Sequence, residues 1–169
     1  RLLLLSRAPS ETLQVVDINA VMEDTARLLD YEALTRQVRQ TLHLPPAPLQ
    51  VLADDPELRM MFLNLLQNAH HAMPEGGEIT VTTGVEGNWA RVEIGDTGVG
   101  IAPEKLARIF DPFYSARADG STGTGLGLTI VKSIVERLKG DIQVSSVLGR
   151  GTTFTLRLPL ATTSLDAPC

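Results

Sequence analysis

From Glu78 the chain alternates apolar and polar residues through Glu86, and it does so again from Trp89 to Gly95. Gly87-Asn88 lies between the two runs, so the pattern predicts a β-hairpin. The same period marks Leu13–Ile18, about 35–43 (Val38, Gln40, Leu42), Asp141–Val147 and Thr152–Leu158 as strands. A period near 3.6 marks three helices. The first starts at Asp17 or Asn19 as cap and runs to about Tyr31, with Val21, Met22, Thr25, Leu28 and Leu29 inward. The second is capped by Asp54 or Asp55, has Pro56 in its first turn, and ends at Met73-Pro74. The third carries Leu128, Val131, Ile134, Val135 and Leu138 and stops at Lys139-Gly140, a positive last turn followed by glycine at C′. Pro103 opens a short helix ending near Ile109, and Pro45-Pro46-Ala47-Pro48 is a stiff connector. Strands and helices in this order predict an α+β two-layer sandwich, with a mixed, mostly antiparallel sheet and helices on one face.

Composition narrows the classes. The 169 residues suffice for one domain with a real core. A net charge of −5 and the lack of any basic run argue against nucleic acid as a partner. The single cysteine, Cys169, offers neither a disulfide framework nor a thiolate metal site, which fits a reducing, cytoplasmic setting. Leu2–Leu5 are too few to span a bilayer, so no direct membrane contact is expected of this chain.

Candidate chemistry sits in three places. Two glycine clusters, Asp96-Thr97-Gly98-Val99-Gly100 and Gly123-Thr124-Gly125-Leu126-Gly127, bracket residues 110–124, which have no periodicity; a stretch that long in a compact domain is a functional lid or disorder. The second cluster runs into a helix, whose free N–H groups and positive dipole end suit an anion such as phosphate; each cluster alone also reads as an ordinary turn. Upstream, Asn64, Asn68 and His71 are spaced i, i+4, i+7 and share one helix face, beside an apolar stripe of Leu65, Ala69 and Ala72.

The motif order resembles the ATP-binding catalytic domain of sensor histidine kinases, within the GHKL ATPase superfamily. Asn64-Leu65-Leu66-Gln67-Asn68-Ala69 is similar to its N box, and Asp96-Thr97-Gly98-Val99-Gly100 to its first glycine box. Phe110-Asp111-Pro112-Phe113 is similar to its F box, and Gly123–Leu128 to its second glycine box. The turn Ala72-Met73-Pro74-Glu75-Gly76-Gly77 and Tyr114-Ser115-Ala116-Arg117 resemble the nitrogen-regulation type of kinase. The likeness implies a Bergerat-type fold over residues 10–160, preceded at 1–9 by the C-terminal end of a dimerisation helix and followed at 161–169 by a disordered tail.

It also implies ATP and Mg²⁺ as cofactors. Asp96 would face adenine, accepting from its exocyclic amine, with Thr152 on the same base edge through water; the plainer reading is a strand-end turn. Asn68 would be the Mg²⁺ ligand, the plainer reading being a hydrogen bond within the fold. Gly98, Gly100, Ile101, Thr124, Gly125, Leu126 and Gly127 would line the nucleotide, and Arg117 would meet the γ-phosphate, unless it is a solvated lid charge. Phe110 and Phe113 would anchor the lid by packing. Asn64 stands where many ATP-hydrolysing relatives carry a water-activating glutamate, and an amide takes no proton. His71 is balanced between phosphate contact and a structural role, whereas His70, about 100° round the helix, is expected at the solvated surface.

The implied activity is transfer of the γ-phosphoryl of Mg·ATP to a histidine on an upstream helical domain. Implied partners are that dimerisation and phosphoacceptor domain, as a homodimer in the full-length protein, and a response-regulator receiver domain. The alternatives are a GHKL-type ATPase and a degenerate nucleotide-binding interaction module.

Overall fold

Residues 13–112, 114 and 127–161 are described by the computed structural model. Strand β1 (Gln14–Asp17) leads into helix α1 (Ile18–Leu28). Asp17 is the cap: its carboxylate accepts from the Asn19 N–H at 3.0 Å and from the Leu49 N–H at 2.9 Å. Asn19 is buried instead. Its amide donates to the Pro45 and Ala47 carbonyls and accepts from the Thr83 hydroxyl at 2.6 Å, which pins the proline connector to the sheet. Val21, Met22 and Thr25 point inward as the period implies, but Leu28 is 74% exposed. The helix ends there, the backbone turns at Leu29, and Leu29 takes the core contact. A second helix, α2 (Asp30–Arg36), then follows where no separate helix was expected and takes residues 35 and 36 from the expected strand, so β2 (Val38–His43) begins only after the left-handed Gln37.

β3 (Gln50–Ala53), which the sequence reading passed over, pairs antiparallel with β1 in a separate two-stranded sheet. Helix α3 (Asp55–His71) has Asp54 as its N-cap residue and buries Leu58, Met61, Phe62, Leu65, Leu66, Ala69 and His70. β4 (Gly77–Glu86) and β5 (Trp89–Asp96) form the expected hairpin, with Glu86 opposite Trp89. α4 (Pro103–Leu106) is shorter than its pattern suggested, and α5 (Gly127–Arg137) buries Val131, Ile134 and Val135. After α5 the left-handed residue is Lys139 (φ 63°), not Gly140, whose place is set by packing against the Arg157 carbonyl.

β6 (Asp141–Val147) and β7 (Gly151–Pro159) complete a five-stranded sheet of order β2-β4-β5-β7-β6, in which β2–β4 is parallel and the other pairs antiparallel. One face buries Ile79, Val81, Ala90, Val92, Ile94, Phe154, Leu156 and Leu158 in the helix-covered core. The other carries Arg91, Glu93 and Arg157, with ion pairs Arg91–Glu93 at 2.6 Å and Arg157–Glu86 at 2.9 Å. This is the α+β sandwich the alternation implied. Ala161, expected to start a loose tail, is buried and donates its N–H to the Gln50 carbonyl at 2.9 Å. Residues 162–169 lie outside the described residues, as do 1–12, on which the helix-tail reading of Arg1–Arg7 falls. Among the described residues no helix is long and apolar enough to cross a membrane.

Candidate nucleotide site

Strand register assembles the site. Asp96 lies opposite Ile79 on one side and Thr152 on the other, and Thr152 lies opposite Ser146. Directly paired residues project to the same face of a sheet. Ile79 is only 1% exposed, so the row Asp96–Thr152–Ser146 belongs to the helix-facing side. The Asp96 carboxylate accepts from the Gly98 N–H at 2.8 Å. Burial pushes its pKa above the usual carboxylate range, while hydrogen bonds from the Gly98 and Thr152 backbones pull the other way without cancelling it. A partly desolvated carboxylate at the edge of the core is poised for a donor that would replace its lost water.

The turn after Asp96 is clamped from two sides. A Cβ on Gly98 would stand 2.3 Å from the Ala72 carbonyl oxygen, and the Val99 N–H donates to that oxygen at 3.0 Å. Gly100 has φ 75°, and a Cβ there would stand 2.2 Å from the Val147 carbonyl oxygen. The Gly149 N–H donates to the Val99 carbonyl at 2.7 Å, and the Ile101 N–H donates to the Ser146 hydroxyl at 2.7 Å. Both glycines are therefore required by close backbone approach, whatever the turn binds. Thr152 is 5% exposed, and its hydroxyl lies 2.8 Å from that of Ser146.

On α3, Asn64, Asn68 and His71 are all half-buried, each about one turn from the next, as their spacing required. The head of α5 comes beside them: a Cβ on Gly127 would lie 3.7 Å from Asn64 Oδ1. Arg117, Thr124, Gly125 and Leu126 lie outside the described residues, as does Phe113. Phe110 packs against the core as expected. Its carbonyl accepts from the Thr129 hydroxyl at 3.0 Å, and Lys132 Nζ sits 5.2 Å from its ring centroid.

Two residues depart from the sequence reading. His70 is fully buried rather than solvated. It falls one turn after Leu66 and next to Met73 on the buried stripe, where Gln40 Oε1 meets its Nε2 at 3.2 Å and its Nδ1 is buried with no hydrogen-bond partner. Desolvation holds its pKa below the ordinary value. Ser146 was not singled out at all. Its signal was a polar residue at the position where the alternation Ile142, Val144 calls for another apolar one.

Among the described residues no three His, Cys, Asp or Glu side chains are placed to hold a metal. A divalent ion here would depend on amide oxygen, phosphate and water, which would suit Mg²⁺, and the half-buried Asn68 of α3 carries an oxygen donor of that kind. A groove of about 560 Å³ lined by Gln37, Val38, Arg39, Gly77, Glu78 and Thr97 opens at the strand starts and contains none of the α3 residues.

A sheet with one helical face, a carboxylate at the end of a core strand, and an amide-bearing helix beside a glycine-led helix define an ATP-binding catalytic domain of the GHKL kind. Residues 53–162, well over half of the chain, match the family described as histidine kinase-, DNA gyrase B-, and HSP90-like ATPase, and the chain belongs to it. Among its relatives, sensor histidine kinase ZraS of Escherichia coli is 37% identical over 91% of this chain and 32% of its own length. Histidine protein kinase DivJ of Caulobacter vibrioides is 37% identical over 86% of this chain and 25% of its own. Sporulation kinase C of Bacillus subtilis is 31% identical over 96% of this chain and 38% of its own. Among solved structures, full-length ShkA in complex with AMPPNP superposes with a TM-score of 0.78 at 33% identity, covering 89% of this chain and 31% of that one. The mycobacterial sensor histidine kinase MprB superposes with a TM-score of 0.74 at 28% identity, covering 88% and 97%. The chain is thus a histidine kinase-type catalytic domain that spans about a third of the length of the curated relatives it matches.

Proposed function

We propose that this domain binds Mg·ATP and donates its γ-phosphoryl group to a histidine on a helical domain of the same protein, from which it passes to a response-regulator aspartate. Asp96 accepts from the exocyclic amine of adenine, and Thr152 meets the same base edge through water. Guanine would present a carbonyl oxygen to Asp96 and be repelled. Gly98, Gly100 and Ile101 shape the base end of the cleft. Thr124, Gly125, Leu126 and Gly127 bring backbone N–H groups to the phosphates, Arg117 adds positive charge there, and His71 stands on the same helix face as Asn64 and Asn68. Asn68 would hold Mg²⁺, which would supply charge neutralisation at the triphosphate. The complex of full-length ShkA with AMPPNP supports nucleotide as the ligand. The Ala72–Gly77 turn and the Tyr114–Arg117 run favour a nitrogen-regulation type of parent kinase, dimeric through its helical domain.

One observation carries the choice of transfer over hydrolysis. Asn64, one turn before Asn68, is half-buried beside Gly127 and bears an amide. An amide cannot accept a proton from water. A neutral imidazole acceptor needs no such base, because its lone pair is already nucleophilic. Catalysis then consists of positioning and charge neutralisation. The test mixes this chain with ATP radiolabelled at the γ-phosphate and a fragment carrying the acceptor helix. Acid-labile, Mg²⁺-dependent label on the helix is expected. Steady phosphate release without an acceptor would favour an ATPase, and no nucleotide binding would leave an interaction module.

A further inference from the structure

We infer that Ser146 is a positioning residue of the base subsite, holding the Thr152 hydroxyl and the exit of the first glycine turn in one place so that the site prefers adenine. This rests on the nucleotide reading above. Asp96, Thr152 and Ser146 occupy paired positions on three adjacent strands, so their side chains stand in a row on one face. Ser146 ends that row at the sheet edge. Its hydroxyl meets three groups: it accepts from the Ile101 N–H at 2.7 Å, donates to the Gly151 carbonyl at 2.9 Å, and lies 2.8 Å from Thr152 Oγ1. A hydroxyl has one proton and two lone pairs, so these three contacts saturate it. Thr152 therefore has its χ1 fixed by a partner that is itself fixed. The Ile101 N–H is held to β6 by the same oxygen, which also meets Gly151 and Thr152 on β7, so one side chain ties the turn after Asp96 to the strand that pairs with Asp96. A small group away from the base thereby fixes where the Thr152 hydroxyl stands relative to the Asp96 carboxylate.

Removing the hydroxyl frees Thr152 to rotate and leaves the Ile101 N–H without its acceptor. The test measures ADP and GDP dissociation constants by calorimetry on the whole chain, as wild type, Ser146→Ala, Ser146→Thr and Asp96→Ala. Ser146→Ala should weaken ADP binding about five- to tenfold, the worth of one hydrogen bond, and weaken GDP binding less, so that the ADP:GDP preference narrows. Ser146→Thr, which keeps the hydroxyl, should restore the preference. A general structural role would weaken both nucleotides equally. Equal weakening, an unchanged preference in Ser146→Ala while Asp96→Ala loses it, or a failure of folded Ser146→Thr to restore it would each overturn the inference. A wild-type chain that bound neither nucleotide, or showed no preference, would overturn the nucleotide reading beneath it and the inference with it.

Discussion

Asp96→Asn separates what the carboxylate does for nucleotide from what it does to the fold. In the proposed complex the ionised carboxylate accepts from the adenine amine; the amide keeps the shape but loses the charge. A hydrogen bond to a charged group is worth about 1.5–3 kcal/mol, so ATP affinity should fall roughly ten- to a hundredfold. The free domain should respond the other way. Because burial raises the folded-state pKa of Asp96, the folded chain holds that proton more tightly than the unfolded one. The stability it contributes is full below the unfolded carboxylate value and is lost as pH rises through the raised folded value. At neutral pH the ionised group opposes folding, so nucleotide-free Asp96→Asn should melt no lower than wild type. ATP affinity of the wild type should fall as pH drops towards that raised value, since protonation turns the acceptor into a donor. Calorimetric titration with ATP and thermal unfolding without it provide both readouts. An unchanged ATP dissociation constant in folded Asp96→Asn would refute the base assignment. A melting point well below wild type would refute the electrostatic account of the buried carboxylate.

Two glycine substitutions should move stability in opposite directions. Gly98→Ala forces a Cβ against the Ala72 carbonyl and should cost about 1–3 kcal/mol, seen as a drop of several degrees in Tm. Gly84→Ala meets nothing within 4 Å and should gain about 0.4–1 kcal/mol through the unfolded state, so a loss there would contradict the geometry. His70 has a lowered folded-state pKa, with Glu32, Arg36 and His71 as the nearby charged groups and Gln40 against its ring. Its stability contribution is present above the ordinary histidine value of 6.5 and is lost as pH falls below it. Urea unfolding at pH 7.5 and pH 5.5 should show that loss in wild type and a smaller one in His70→Gln. Asn68→Asp should fold normally but lose phosphotransfer about tenfold or more. A like charge near 4 Å from phosphate opposes binding by roughly 1–4 kcal/mol, and full acid-labile labelling in that variant would reject the metal role.

What could be read from sequence was what a local period encodes. The β4–β5 hairpin and the strands β6 and β7 alternate cleanly and lie where the alternation put them. β3 has four residues between prolines and a helix cap, too few for a period to show, and it exists because β1 and the Val51–Leu160 bridge pair with it. His70 was misplaced because two overlapping stripes run along α3, and only the packing of β2 shows that the one through Leu66 and Met73 is covered as well. The site divides in the same way. Asp96, Asn64 and Asn68 announce themselves by residue type and spacing, but the row through Thr152 to Ser146 depends on register between strands distant in sequence. The glycines teach the converse. Gly98 and Gly100 read in sequence as nucleotide-lining residues, yet close approach to Ala72 and Val147 already accounts for both. Their presence would be explained in a domain that bound nothing. The weight of the nucleotide reading therefore falls on groups that packing does not explain: a half-desolvated carboxylate held at a strand end, and an amide facing the glycine head of α5 where a hydrolase would need a base.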